Sequence, residues 1–147
     1  LLLRSGWRRR QRRQEWAPLP AVPETSPQEP AVTGKYVGTV REGDWLDRIV
    51  AGGAMARTQV TTTEAGLLLQ RQGEPPLFIA HRRIIGWGTA PGMLQKVFGR
   101  HGVLTVTWVW NEEPVVSGIW FPDVADQHLV GKWIDQRSTS HVSEERT

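Results

Sequence analysis

The stretch from Val103 to Arg137 constrains this chain most, because it admits one reading: strand, turn, strand, helix. Val103-Leu-Thr-Val-Thr-Trp-Val-Trp110 is an unbroken run of β-branched, aromatic and aliphatic residues. Asn111-Glu-Glu-Pro114 supplies a turn, and Val115-Val-Ser-Gly-Ile-Trp-Phe121 returns as a second strand. Strands this close in sequence pair as an antiparallel hairpin. Pro122 ends the sheet, and Asp123 is placed to cap a helix. In that helix Ala125, Leu129 and Trp133 recur every fourth residue with Val130 and Ile134 beside them, while Asp126, Gln127, Lys132 and Asp135 take the other side. Such a stripe needs an apolar surface to lie on, and only the β-rich chain before it can supply one. Trp133, the largest residue of the stripe, is expected between helix and sheet.

Charge is distributed unevenly. Residues 1–16 carry a net +5, residues 17–33 a net −2, and residues 34–147 are neutral, so the overall +3 belongs to the N-terminal segment. The globular part has no general basic surface, which argues against nucleic acid as a partner. The chain has no cysteine, which excludes disulfides, cysteine-ligated zinc and thiol catalysis.

Leu1-Leu-Leu3 is followed by Trp7, Arg8, Arg9, Arg10, Arg12 and Arg13. Leucines, then tryptophan, then clustered arginine is the order found at the cytoplasmic end of a transmembrane helix. The expectation is a juxtamembrane segment over residues 1–16, a single membrane span before it, and everything after it in the cytoplasm. Residues 17–33 hold five of the ten prolines. They are expected to form an extended, mobile linker reaching on the order of 50 Å at ~3.1 Å per residue.

The folded part is expected over residues 34–137. Strands are predicted at Lys35–Val40, Arg57–Thr63, Leu67–Arg71, Leu77–Ala80 and Ile84–Thr89, before the two of the hairpin. Asp44–Val50 reads as a short amphipathic helix, with Asp44 as its cap and Trp45 and Ile49 one turn apart. Residues 90–102 read as irregular, with Met93, Leu94, Val97 and Phe98 able to pack as a turn of helix. Residues 138–147 are expected to be a disordered tail. The fold class is mainly β: a seven-stranded antiparallel barrel or sandwich capped by one amphipathic C-terminal helix.

That pattern resembles the pleckstrin-homology superfold. The basic segment, the Pro-rich linker, Val40-Arg-Glu-Gly-Asp-Trp-Leu-Asp-Arg-Ile49, Thr62-Thr-Glu-Ala-Gly-Leu67 and the Trp120–Trp133 region together resemble a group of small actinobacterial single-pass membrane proteins. Their cytosolic part is called a PH-like domain. The resemblance implies a fold, a topology and an interaction role, some members being described as transporter or export proteins. It brings no catalytic residues.

Two clusters are candidate partner-binding sites. Asp44, Trp45, Asp47 and Arg48 read either as an aromatic anchor among charges or as a capped helix plugging the barrel. His81, Arg82 and Arg83 form the one dense basic cluster of the domain, read either as a solvated loop or as a contact for an anion or acidic peptide. In PH domains that bind phosphoinositides, bases gather on the first strand and the loop after it. Here Lys35, Arg41 and Arg48 are offset by Glu42, Asp44 and Asp47. No catalytic motif, P-loop or metal-ligand spacing occurs, and His81, His101, His128 and His141 are scattered. The reading is therefore a non-catalytic, membrane-anchored module for a protein partner, with no cofactor, metal or small-molecule substrate expected. A peripheral anionic-lipid reader and an accessory part of a transporter are the alternatives.

Overall fold

A computed structural model describes residues 19–49, 55–94 and 96–146. The strands are β1 (Val32–Arg41), β2 (Asp44–Arg48), β3 (Ala56–Thr62), β4 (Gly66–Arg71), β5 (Leu77–Ala80), β6 (Ile84–Ala90), β7 (Gly92–Met93), β8 (Lys96–Val97), β9 (Val103–Trp110) and β10 (Glu113–Trp120). A 3-10 turn, His81–Arg83, joins β5 to β6, and one helix, α1 (Val124–Arg146), closes the chain. The main sheet runs β5-β4-β3-β1-β10-β9-β6, with β2 paired onto β1 and β7–β8 a separate small hairpin. Every pair is antiparallel. The two edges of the main path, β5 and β6, are consecutive in the chain and separated by three residues. The sheet must therefore coil until its edges converge. This is the PH-like sandwich, with short extra strands beyond the seven expected.

The β9–β10 hairpin forms as the sequence requires. Its turn residues Asn111 and Glu112 have φ of 52° and 66°, and a turn with two positive φ values matches the right-handed twist of the strands it joins. Along β9 and β10, Leu104, Val106, Trp108, Trp110, Val115 and Ile119 enter one core with Tyr36, Val60, Leu67, Leu69, Leu77, Ile79 and Phe121. Inside that core runs a chain of side-chain hydrogen bonds. Tyr36 Oη lies 2.5 Å from Thr39 Oγ1, which lies 2.6 Å from Ser117 Oγ, and the Trp108 Nε1–H donates to the same Ser117 oxygen at 2.9 Å. Four polar groups are thereby satisfied where an unpaired one would be costly.

The opposite face of the same strands is also covered. Val37, Val40, Val103, Val116 and Met93 form a second cluster, with Trp45, Met55, Leu94, Phe98 and Trp120 packed against it. A bulge between Tyr36 and Gly38 lets β1 serve both faces. The covering layer is the β7–β8 hairpin together with β2. Within residues 90–102, Gly92–Met93 and Lys96–Val97 thus pair as two short strands, where a turn of helix was expected. A Cβ on Gly92 would run into the Lys96 backbone, so the close approach of the two strands needs a glycine there. Met93 is buried under the hairpin, while Val97 is 88% exposed.

Residues 44–48 also differ from expectation. They are a strand, with Arg48 opposite Val40 and Asp44 opposite Arg41. One helical turn would have put Trp45 and Ile49 on the same face. Instead Ile49 joins the inner core and Trp45 the outer cluster, so each side chain gains more by burial apart than by sharing a stripe. Asp44 is accordingly a strand residue and not a helix cap.

Asp123 does cap α1: its Oδ1 accepts the Ala125 N–H at 2.9 Å. Trp133, Val130 and Ile134 are buried against the sheet as expected. The stripe is rotated from the expected one, because Ala125 and Leu129 are exposed and Gln127 is buried. Gln127 is tolerated there because its Nε2 donates to the His101 carbonyl at 2.8 Å, and His101 Nε2 in turn bonds the Phe121 carbonyl at 2.9 Å. Gly131 lies under the Trp87 ring, and the Trp87 Nε1–H donates to Asp135 Oδ1 at 2.8 Å.

The element boundaries move at both ends. β1 starts at Val32, whose partner is Val60, and the chain before it lies along β3. The Gln28 N–H donates to the Thr62 carbonyl at 2.8 Å, and Thr61 Oγ1 donates to the Glu29 carbonyl at 2.6 Å. Leu19 packs against the inner core. At the other end α1 continues past Arg137 to Arg146, over the residues expected to be a tail, and neither Gly nor Pro follows Gly131 to stop it.

Candidate functional site

The register brings three turns to one end of the sheet. Ile84 is opposite Trp108, Trp108 opposite Val115, and Val115 opposite Arg41. This row carries the 3-10 turn His81–Arg83 before β6, the β9–β10 turn, and the β1–β2 turn. No sequence spacing shows that grouping, because it depends on which strands pair.

Between the β1–β2 and β9–β10 turns lies an open depression of about 560 Å³ lined by Arg41, Glu42, Gly43, Asp44, Glu113 and Pro114. It holds three acids and one base. The base is engaged, since the Arg41 guanidinium makes a salt bridge to the Glu113 carboxylate. Both partners are solvent-accessible, so the bridge orients the turns more than it stabilises the fold. Trp45 stands beside the depression, half-buried, its Nε1–H donating to the Glu42 carbonyl at 3.2 Å. Its indole anchors the turn from below as well as presenting an edge to solvent. Asp47 and Arg48 lie in β2 with Asp44 and Trp45. Of the residues the sequence singled out on β2, Asp44 lines the depression. Glu113 and Pro114, which the sequence did not single out, join it only through the β1–β10 pairing.

His81, Arg82 and Arg83 sit apart from the depression on the short segment between the sheet edges. The His81 N–H donates to the Ala65 carbonyl at 2.9 Å, and its ring Nε2 lies 3.5 Å from Thr62 Oγ1. Arg82 and Arg83 are both exposed. The cluster is a connection that holds β5 to β6, with its two guanidinium groups in solvent. The structure does not join it with Asp44, Trp45, Asp47 and Arg48 into one site.

Trp7, Arg8, Arg9, Arg10, Arg12 and Arg13 lie outside the described residues. Among the described residues no helix is long and apolar enough to cross a membrane, and no group of three His, Asp or Glu side chains is placed to hold a metal ion.

The chain matches no curated protein and no solved structure. A bacterial PH domain-like family matches residues 16–138, which takes in the described sheet and α1 as far as residue 138. That span and the coiled antiparallel sheet closed by a C-terminal helix agree, and the chain belongs to the bacterial PH domain-like family.

Proposed function

We propose that the chain is a non-catalytic, membrane-anchored PH-like module that binds a protein partner at the turn end of its sheet. The observation that carries this reading is the charge of the depression. Glu42, Asp44 and Glu113 surround Arg41, and Arg41 is already paired. A phosphorylated head group would meet net negative charge there, whereas a basic or polar peptide would meet complementary groups and the edge of Trp45. Asp44, Trp45, Asp47 and Arg48 are the proposed contact residues on β2. Anchoring is supported by the order Leu1–Leu3, Trp7 and the arginine cluster. Positive charge on the cytoplasmic side would set the domain in the cytoplasm. The likeness to the actinobacterial single-pass group supports the same topology.

A titration followed by amide chemical shifts tests the binding site. An arginine-rich peptide should move the resonances of Arg41–Asp44 and Glu113, and Glu42→Lys with Asp44→Lys should abolish the effect. A soluble inositol phosphate that moves these resonances instead would replace the protein-binding reading with the lipid-reading one. For topology, alkaline phosphatase fused after Thr147 should be inactive in cells. Active enzyme would place the C-terminus outside.

A further inference from the structure

The end of β9 and β10 opposite the depression carries cations beside apolar side chains. Lys96 and Arg100 lie in the connection between β6 and β9 at that end, and Lys35, opposite Trp120, lies there too. Two of these cations flank the tip region of the outer layer: Lys96 and Arg100 are exposed on either side of Val97 and Phe98. Val97 has 88% of its surface in solvent, the largest exposure among the large hydrophobic residues described. Phe98 stacks on Trp120 with ring centroids 6.5 Å apart, and Lys35 Nζ lies 6.0 Å from the centroid of the same Trp120 ring. Trp120 and Phe98 are both partly exposed. Among the described residues neither Lys96 nor Arg100 has a salt-bridge partner. The Phe98 N–H donates to the Pro91 carbonyl at 2.9 Å, which fixes the segment against the start of the hairpin.

An apolar tip over partly wet aromatic rings, with Lys35, Lys96 and Arg100 beside it and the exposed Asp123 carboxylate engaged in capping α1, fits one environment well. Aromatic rings and aliphatic tips lie at the headgroup level of a bilayer, and Lys or Arg beside them meets anionic lipid. We infer that Lys35, Lys96–Arg100 and Trp120 form a surface that docks onto an anionic bilayer, with Val97 entering the headgroup region. This surface is separate from the depression at the turns. Register places Lys35 opposite Trp120 at one end of the sheet and Arg41 opposite Val115 at the other, and β9 spans about 23 Å between those ends. Docked this way, the domain turns its acid-lined depression away from the anionic surface. The inference does not rest on an N-terminal anchor, since a bilayer would attract this face whether or not the chain is tethered.

The lack of cysteine makes the test direct. In the full chain, Val97→Cys is labelled with an environment-sensitive fluorophore, and Gln72→Cys on the β4–β5 loop serves as a second label position. Vesicles of phosphatidylcholine with about one-third phosphatidylglycerol should shift the emission of the label at 97 to the blue and leave that at 72 unchanged. Pure phosphatidylcholine should give little response. Lys96→Gln with Arg100→Gln should weaken the response at 97 about tenfold or more. If the chain sediments with the anionic vesicles while the label at 97 stays in water, contact is made by the arginines of residues 1–16 and the inference fails. A label at 97 that responds to no vesicle, or a double variant that responds as the parent does, overturns it as well. An acidic protein as the true occupant would give that flat vesicle response.

Discussion

At the residue scale, the positions that matter most are those where one side chain decides how two elements meet. Trp133 is 4% exposed and fills the space between α1 and the inner core. Trp133→Ala should cost about 3–5 kcal/mol, read as a lowered urea midpoint. Gly131 shows the reverse constraint. A Cβ there would lie 2.5 Å from the Trp87 ring, so Gly131→Ala should destabilise by about 1–3 kcal/mol through overpacking, even though alanine favours a helix by up to about 1 kcal/mol. A raised melting temperature for this variant would mean that Trp87 can swing aside. Glu112 is strained in the other sense, with φ of 66° in a turn that favours glycine at that position. Glu112→Gly should stabilise by about 1 kcal/mol, measurable as a higher denaturant midpoint with unchanged slope.

At the element scale, the strands β1, β9 and β10 are buried on both faces, and this is what gives the domain its second layer. Of the three only β9 is a near-continuous apolar run; β1 and β10 interleave Thr, Ser and Gly with their apolar residues, and burial of both faces shows in the folded strands rather than in their sequences. The hydroxyl chain through Thr39 and Ser117 ties β1 to β10 across the inner face. Ser117→Ala removes the acceptor for Trp108 and one partner of Thr39, and should cost about 1–3 kcal/mol because buried polar groups lose their partners. Equal stability to the parent in chemical denaturation would show that the network is dispensable. The segment before β1 offers another check at this scale. The Gln28 amide is bonded to the Thr62 carbonyl and should exchange with solvent more slowly than the amide of the exposed Glu24.

At the scale of the whole molecule, two surfaces of unlike chemistry lie at opposite ends of the strands. Glu42, Asp44 and Glu113 line the depression at the turn end, which also carries Arg82 and Arg83 on the 3-10 turn, and Lys35, Lys96 and Arg100 lie beside the apolar tip at the other. The sequence by itself determined the elements whose local chemistry is unambiguous: the Val103–Trp110 strand, its return strand, the helix capped by Asp123, and hence the PH-like class. Those depend on short-range patterns of side-chain size, polarity and turn preference, all of which are written in neighbouring residues. It misread Asp44–Arg48 as a helix and missed the short strands Gly92–Met93 and Lys96–Val97 within the irregular stretch 90–102. In short segments, period-2 and period-3.6 patterns cannot be told apart, and burial against a partner strand decides between them. It also put Leu129 on the buried face and Gln127 outside, because a hydrogen bond to His101, far away in sequence, compensates a buried amide. Which turns share an end of the sheet, that Glu113 meets Arg41, and that Phe98 stacks on Trp120 over Lys35 were decided by tertiary structure alone. Strand register sets these meetings, and register is a property of pairs of strands that no single stretch of sequence carries.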